Sequence, residues 1–336
     1  MILKDSIEKL MRKENLDAHT CREVMEEIVK PGANSLQVAA FLVLLHAKSE
    51  TVEELAAIVN YLKEKMIPVP TSHKVLDLVG TGGDGAHTIN ISTGSAILAA
   101  SCGVKIAKHG NRAVSSLSGS ADVLEALGVN IELSPEKVSA CIDKVGIGFC
   151  FAPLFHPVLK ELRGLRKQLN LPTVFNLVGP LLNPAHANYI LMGVYHAHLL
   201  PLMAGVLKQR PAMHALIVHG CGLDELSCVG PAEVIEVRDG NTKTAVIDPA
   251  TLGLPHCRLR DLQGGDAKTN AALLRELFQG KQRGAIANTL LLNAAAAMQL
   301  YGLCATMQDA LQLATDALYS GRALTLLTHW IECSHD

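Results

Sequence analysis

From Lys74 onward the chain alternates short apolar runs with helical patterns, and this alternation limits the fold more than any other feature. VLDLV (75–79) precedes a Gly-rich turn and then the helix-like STGSAILAASCG, while VKIA (104–107) precedes a polar turn and ADVLEALG. IGFCFA, NYILMGVY and HALIVHG follow as further strand candidates. Short apolar strands separated by helices pair in parallel, because each crossover helix carries the chain back to the same end of the sheet. An α/β domain with a mostly parallel central sheet is therefore predicted. Within it, Ser134-Pro135-Glu136 combines an N-cap, a first-position proline and an acidic first turn. Asp239-Gly240 centres a late hairpin in EVIEVRDGNTKTAVID. The C-terminal third reads as helical, with Thr306-x-x-Asp309 as a cap.

Residues 1–66 carry helical signals only. Ile7, Leu10 and Met11 make one stripe and Val24, Met25, Ile28 and Val29 another. Thr20-x-x-Glu23 and Thr51-x-x-Glu54 have capping-box spacing, Ser35 is placed to cap a third helix, and Lys30-Pro31-Gly32 stops the second. Pro68 and Pro70 mark residues 67–72 as a linker. The expected division is a small helical domain over 1–69 and a larger α/β domain over 70–336.

Composition removes several function classes. Hydrophobic residues are 49% and charged residues 18%, which supplies a core and argues against disorder. With 30 Lys and Arg against 32 Asp and Glu, net charge is −2, unlike the basic balance of a general nucleic-acid binder. Nine scattered cysteines with no C-x-x-C spacing fit neither a disulfide framework nor a structural zinc site. MILKDSIEKLMRKE lacks a signal-peptide apolar region, and TLLLNAAAAMQL is too short to span a bilayer. The sequence reads as a soluble cytoplasmic protein with no membrane and no nucleic-acid partner.

Three segments carry chemistry. Gly80-Thr81-Gly82-Gly83-Asp84-Gly85 follows a strand and leads through Thr88, Asn90, Ser92 and Thr93 into a helix. Glycines let backbone approach a ligand, and a helix start offers free amides to an anion. Lys108-His109-Gly110-Asn111-Arg112-Ala113-Val114-Ser115-Ser116 follows the next strand, and its cations and hydroxyls suit a phosphate. Asp224-Glu225, after HALIVHG, suits a hard cation such as Mg²⁺ shared with substrate phosphates.

Together these segments resemble the anthranilate phosphoribosyltransferase family, in GTGGDGAHTINISTGSA, KHGNRAVSSLSGSADVLEALG, HPVLKELRGLRKQLNLPTVFNLVGPLLNPA and GLDE. The resemblance covers nearly the whole chain. It implies a helical domain, completed by helices from about 160–185, joined to an α/β domain of the nucleoside phosphorylase and phosphoribosyltransferase type. It also implies a homodimer through the helical domains. The implied reaction is Mg²⁺-dependent transfer of phosphoribosyl from phosphoribosyl pyrophosphate to the amine of anthranilate, within tryptophan biosynthesis. By position, Gly80, Gly83, Asp84, Thr88, Asn90, Ile91, Ser92 and Thr93 would hold the donor, with Lys108, Asn111, Arg112, Ser115, Ser116 and Ser120 completing its site. Ser92, Asp224 and Glu225 match the metal ligands, and Gly80, Asn111 and Arg166 the acceptor contacts. His109 and His156 fall in matched segments near the acceptor. No Ser–His or Cys–His nucleophile is evident, and none is required. Gly164, Leu117 and Ala287-Asn288 depart from the family's usual residues without removing a matched ligand. A pyrimidine nucleoside phosphorylase and a non-catalytic nucleic-acid-binding relative are the alternatives. The Asp224-Glu225 pair and intact KHGNRAVSS segment disfavour the first, and the net charge of −2 disfavours the second.

Overall fold

In a computed structural model, described for residues 2–113, 117–210 and 212–336, the chain begins as four helices. These are α1 (Ile2–Met11), α2 (Ala18–Ile28), α3 (Ser35–Lys48) and α4 (Val52–Lys65). α1 packs on α2 and α3, and α2 on α4, burying Leu10, Val24, Met25, Ile28, Phe41 and Leu62. Two caps differ from expectation. Asp17, not Thr20, caps α2 by accepting from the Thr20 N–H at 2.8 Å, and Asn34, not Ser35, caps α3. Asp17 is a better cap than Thr20, whereas Asn34 and Ser35 are comparable caps and α3 simply begins at Ser35. The Thr51–Glu54 box forms as predicted. Its Glu54, fully buried, also accepts from the Leu16 N–H at 2.8 Å and from Lys48 Nζ at 2.9 Å. A local helix start is thereby tied to two other parts of the bundle.

The α/β part runs β1 (Leu76–Gly80), α5 (Ile91–Ser101), β2 (Ile106–Gly110), α6 (Ser120–Leu127), α7 (Pro135–Lys144) and β3 (Ile147–Phe151). Then come α8 (Ala152–Phe155), α9 (Lys160–Leu169), α10 (Phe175–Val178), β4 (Tyr189–Gly193), α11 (Leu199–Lys208), β5 (His214–Gly220), β6 (Ala232–Arg238) and β7 (Asn241–Ile247). Helices α12 (Ala267–Phe278), α13 (Ala285–Tyr301), α14 (Met307–Tyr319) and α15 (Arg322–His335) complete the chain. The seven-stranded sheet has the order β3-β2-β1-β4-β5-β6-β7, parallel through β5 and antiparallel at β6 and β7. The β6–β7 turn is Asp239-Gly240, both at positive φ, as a two-residue hairpin turn requires. Ser134 and Thr306 cap α7 and α14 as expected.

The apolar α13 is buried on most sides, against α5, α14 and the sheet, which is where a helix without a polar face belongs. Among the described residues no helix is long and apolar enough to cross a membrane. Trp330 is buried in α15, packed into the core. The segment between β3 and β4 lies between the two parts of the molecule. α9 contacts α3, the Ile67 N–H donates to the Phe155 carbonyl at 2.8 Å, and the Val69 N–H to the Pro184 carbonyl at 3.0 Å.

One strand is displaced from expectation. β2 covers Ile106–Gly110 rather than 104–107, so Lys108 and His109 lie within the strand and are buried. A lysine and a histidine read as turn residues in the sequence. Parallel pairing with β3 over Lys108 and His109 overrides that local preference.

Candidate active site

The strand order reverses direction beside β1, whose neighbours are β2 and β4, and ligands of open α/β sheets bind beyond the strand ends at such a point. Gly80 and Gly193 stand opposite each other at the ends of β1 and β4. A Cβ on Gly80 would overlap Asp224 Oδ2 and lie 2.8 Å from Asp224 Cγ, and one on Gly193 would lie 3.0 Å from Asp224 Cα. The two glycines make the space that Asp224 occupies. Asp224 Oδ2 accepts the Gly82 N–H at 2.6 Å, and Glu225 Oε1 accepts the Ser92 N–H, in the first turn of α5, at 3.2 Å. The acidic pair is thus fastened to the glycine loop on one side and to a helix start on the other.

Electrostatics show what this arrangement lacks. Burial, then repulsion from Asp84, pushes the Asp224 carboxyl up to about 7. Burial and the neighbouring Asp224 push Glu225 well above the usual carboxylate range. Lys108 is the cation that faces them. Its Nζ donates to the Leu78 carbonyl at 2.6 Å and to Ser92 Oγ at 3.2 Å, within the fields of Asp77 and Glu225. Asp84, Asp224 and Glu225 repel one another, and burial disfavours the Lys108 ammonium beside Glu225, so the set favours an added positive charge. A hard divalent cation fits this set, since carboxylate and hydroxyl oxygens are its preferred donors. Among the described residues no three His, Cys, Asp or Glu side chains could hold a metal by themselves. Oxygens from a phosphate and from water would complete the shell.

The loop residues are joined across the cleft. Asn90 Nδ2 donates to the Ser118 carbonyl at 3.0 Å, and Asn90 Oδ1 accepts from Asn270 Nδ2 at 2.9 Å, so Asn90 ties both loops to α12. Thr88 bridges to Gln263. Asp84 accepts the Ala86 N–H within its own turn, and Gly82, Gly83 and Gly85 all take positive φ. Thr93 Oγ1 is buried with no hydrogen-bond partner among the described residues. Ile91 buries its side chain in the core, so only its backbone can face a ligand. Ser120 Oγ donates to the Asn111 carbonyl at 3.3 Å. Ser115 and Ser116 lie outside the described residues. Arg112 differs from expectation: its guanidinium grips Glu125 at 2.7 and 3.1 Å and lies over the Phe151 ring, directed at protein carboxylates rather than left free for a phosphate.

The other wall is built by the segment after β3. Arg166, on α9, is half-buried, while Arg163 and Lys167 are exposed. Its Nη2 reaches the Phe175 carbonyl at 3.5 Å and its guanidinium lies over the Phe175 ring. No carboxylate pairs with it among the described residues, and burial lowers its affinity for its proton. His109 Nδ1 is 3.2 Å from the Gly179 carbonyl, and His109 Nε2 is 3.1 Å from His156 Nε2. The His156 ring also faces the Leu182 carbonyl, so each histidine is held by a backbone carbonyl as well as by the other ring. Burial holds His109 down to about 3 and His156 to about 4, so both rings are neutral at pH 7.

Three supporting residues escaped the reading of the sequence. Asp77, buried in β1, accepts the His109 N–H at 3.1 Å and Asn183 Nδ2 at 2.7 Å, and its burial raises it to about 6. Asp122 accepts the N–H groups of Ala113 and Gly119, each at 2.8 Å, closing the second loop. Asn183 joins Asp77 to the Ala107 carbonyl. The signal for Asp77 was present as a lone acid in an apolar strand.

Known proteins resemble this chain along nearly its whole length. Residues 4–66 match a glycosyl transferase family helical bundle domain, and 72–324 a glycosyl transferase family a/b domain. An anthranilate phosphoribosyltransferase of Chlamydia caviae is 46% identical over 98% of this chain and 96% of its own. The crystal structure of the Thermus thermophilus anthranilate phosphoribosyltransferase superposes with a TM-score of 0.92 at 38% identity, covering 99% of this chain and all of that one. The Saccharomyces cerevisiae enzyme in complex with PRPP and Mg gives 0.91 at 30% identity, covering 99% and 98%. A further structure of that yeast enzyme holds 4-fluoroanthranilate.

Proposed function

The chain belongs to the anthranilate phosphoribosyltransferase family of glycosyltransferases, and from that premise we propose how its residues divide the work. The enzyme transfers the phosphoribosyl group of phosphoribosyl pyrophosphate to the amine of anthranilate, giving N-(5-phosphoribosyl)anthranilate and pyrophosphate for tryptophan biosynthesis. The amine nitrogen bonds to the anomeric carbon as the bond to pyrophosphate breaks, and the amine then sheds a proton. No covalent enzyme intermediate is needed.

Asp224 and Glu225, with Ser92 Oγ, would hold Mg²⁺, which would supply positive charge to offset the negative charge of the departing pyrophosphate. The amides of the Gly80–Gly85 loop and of the α5 start bind the phosphates. Lys108, whose proton burial disfavours while Asp77 and Glu225 favour it, adds positive charge beside them when protonated. Asn90 and Asp122 hold the two loops in register, and Asn111 and Ser120 close the second loop over the donor. Preorganised donors of this kind stabilise negative charge as it develops on the leaving group. Arg166 grips the anthranilate carboxylate, and the neutral His109–His156 pair borders the ring. The observation that carries the reading is the acidic pair bonded to the Gly82 and Ser92 amides with Lys108 alongside.

The domain division, 1–69 and 70–336 with α9 and α10 bridging, follows the same reading. So does a homodimer through α3. That helix leaves Leu36 81% exposed and keeps Ala39, Ala40, Val43 and Leu44 only half-covered, a stripe suited to a second copy. Loss of anthranilate fluorescence on mixing with phosphoribosyl pyrophosphate and Mg²⁺ tests the function. Persistence of that fluorescence, with phosphorolysis of pyrimidine nucleosides instead, would overturn it.

A further inference from the structure

Away from the cleft, α4 of the helical bundle meets α11 of the α/β part around a small cavity of about 90 Å³. Lys63 and Asn60 line it from α4, and Gln209 and Arg210 from the end of α11. Lys63 and Arg210 are half-buried, and among the described residues neither side chain has an ion pair or hydrogen bond. His186 lies near enough that, after burial, Lys63 and Arg210 also lower its proton affinity. Among the described residues no carboxylate offsets any of the three. A sheltered cation elsewhere in the bundle, Lys48, is by contrast paired with Glu54 at 2.9 Å.

Such a cluster costs stability as it stands. Burial, then repulsion from Arg210, brings Lys63 down to about 7, and burial lowers Arg210 as well. Uncompensated sheltered charge is unfavourable unless a partner enters. The donors present are a planar guanidinium, an ammonium and two side-chain amides, a combination that matches the oxygens of a tetrahedral anion. The volume is several times what one water needs, and it is too small for a nucleotide. We propose that this interdomain cavity is a binding site for a free phosphate-sized oxyanion, which bridges α4 to α11. It is separate from the donor cleft and uses none of its residues.

Calorimetric titration of inorganic phosphate into the Mg²⁺-free protein and into the Lys63→Met, Arg210→Met double variant tests this. The donor cleft is intact in both proteins, so the difference between them reports the cavity. The unmodified protein should show one binding class that the variant loses or binds at least tenfold more weakly. Sulfate should reproduce the difference and acetate should not. Ribose 5-phosphate, too large for the cavity, should titrate identically into the two proteins. If the variant does not fold, tungstate-soaked crystals of the unmodified protein decide the matter, with anomalous density expected between Lys63 and Arg210. Identical phosphate isotherms, or no density at that position, would overturn the proposal.

Discussion

Replacing Gly80 by alanine adds one methyl group at the point where the sheet meets the acidic pair. That Cβ would overlap Asp224 Oδ2 and sit 2.8 Å from its Cγ, in space already filled. Asp224 must swing away, and the bond it accepts from the Gly82 N–H at 2.6 Å is lost with it. Overpacking of this kind costs about 1–3 kcal/mol of stability. Loss of a hydrogen bond to a charged group is worth about 1.5–3 kcal/mol. If that second amount falls on metal binding, the Mg²⁺ concentration for half-maximal rate rises roughly 10–150-fold, at about 1.36 kcal/mol per factor of ten. Gly82→Ala is the control. Gly82 has φ +68°, and a methyl group there would meet nothing within 4 Å, so alanine strains the loop by about 1–2 kcal/mol and leaves Asp224 in place. Steady-state rates across a Mg²⁺ titration, with thermal unfolding alongside, separate the two variants. An unchanged Mg²⁺ requirement in Gly80→Ala, or an equal shift in Gly82→Ala, would refute the account of why Gly80 is glycine.

Arg166→Ala should lower kcat/KM for anthranilate roughly 10–150-fold while the KM for the donor changes little, and exposed Arg163→Ala should serve as the neutral comparison. Chelation of divalent cations should abolish turnover, and Asp224→Ala should need far more Mg²⁺; full activity of the Asp224, Glu225 double alanine variant at low Mg²⁺ would remove the pair from the metal site. Leu36→Glu with Val43→Glu should convert a sedimenting dimer to monomer, and a wild-type chain that sediments only as monomer contradicts the assembly. The histidine pair gives a pH signature. His109, held at about 3, stays neutral in the folded chain while its unfolded form takes up a proton below about 6.5, so its contribution to stability is present above pH 6.5 and fades as pH falls. Between pH 6.5 and 5 that amounts to about 2 kcal/mol. Raised carboxyls such as Asp77, at about 6, act in the opposite sense over this range, so the test is a difference: His109→Gln should show about 2 kcal/mol less acid destabilisation than wild type in urea unfolding, and equal pH dependence refutes it.

Much of the architecture is local and was legible in the sequence. The alternation of apolar runs with helical stripes implied a parallel sheet, Asp239-Gly240 a hairpin, and Thr51, Ser134 and Thr306 their helix starts, because each depends on neighbours a few residues away. The three loops of the cleft were also visible as residue types suited to phosphate and metal. Tertiary structure decided which side chains are available. Lys108 and His109 read as turn residues and became buried strand residues because β3 pairs with them. Arg112 and Arg166 look alike in sequence, yet Glu125 occupies the first and, among the described residues, no carboxylate meets the second. Asp77, Asn183 and Asp122 support the site through partners that sequence spacing does not announce. Gly80 and Gly193, 113 positions apart, are glycines for one reason, the room Asp224 needs between them. That constraint belongs to packing, since a steric requirement between distant segments exists only once the chain has brought them together.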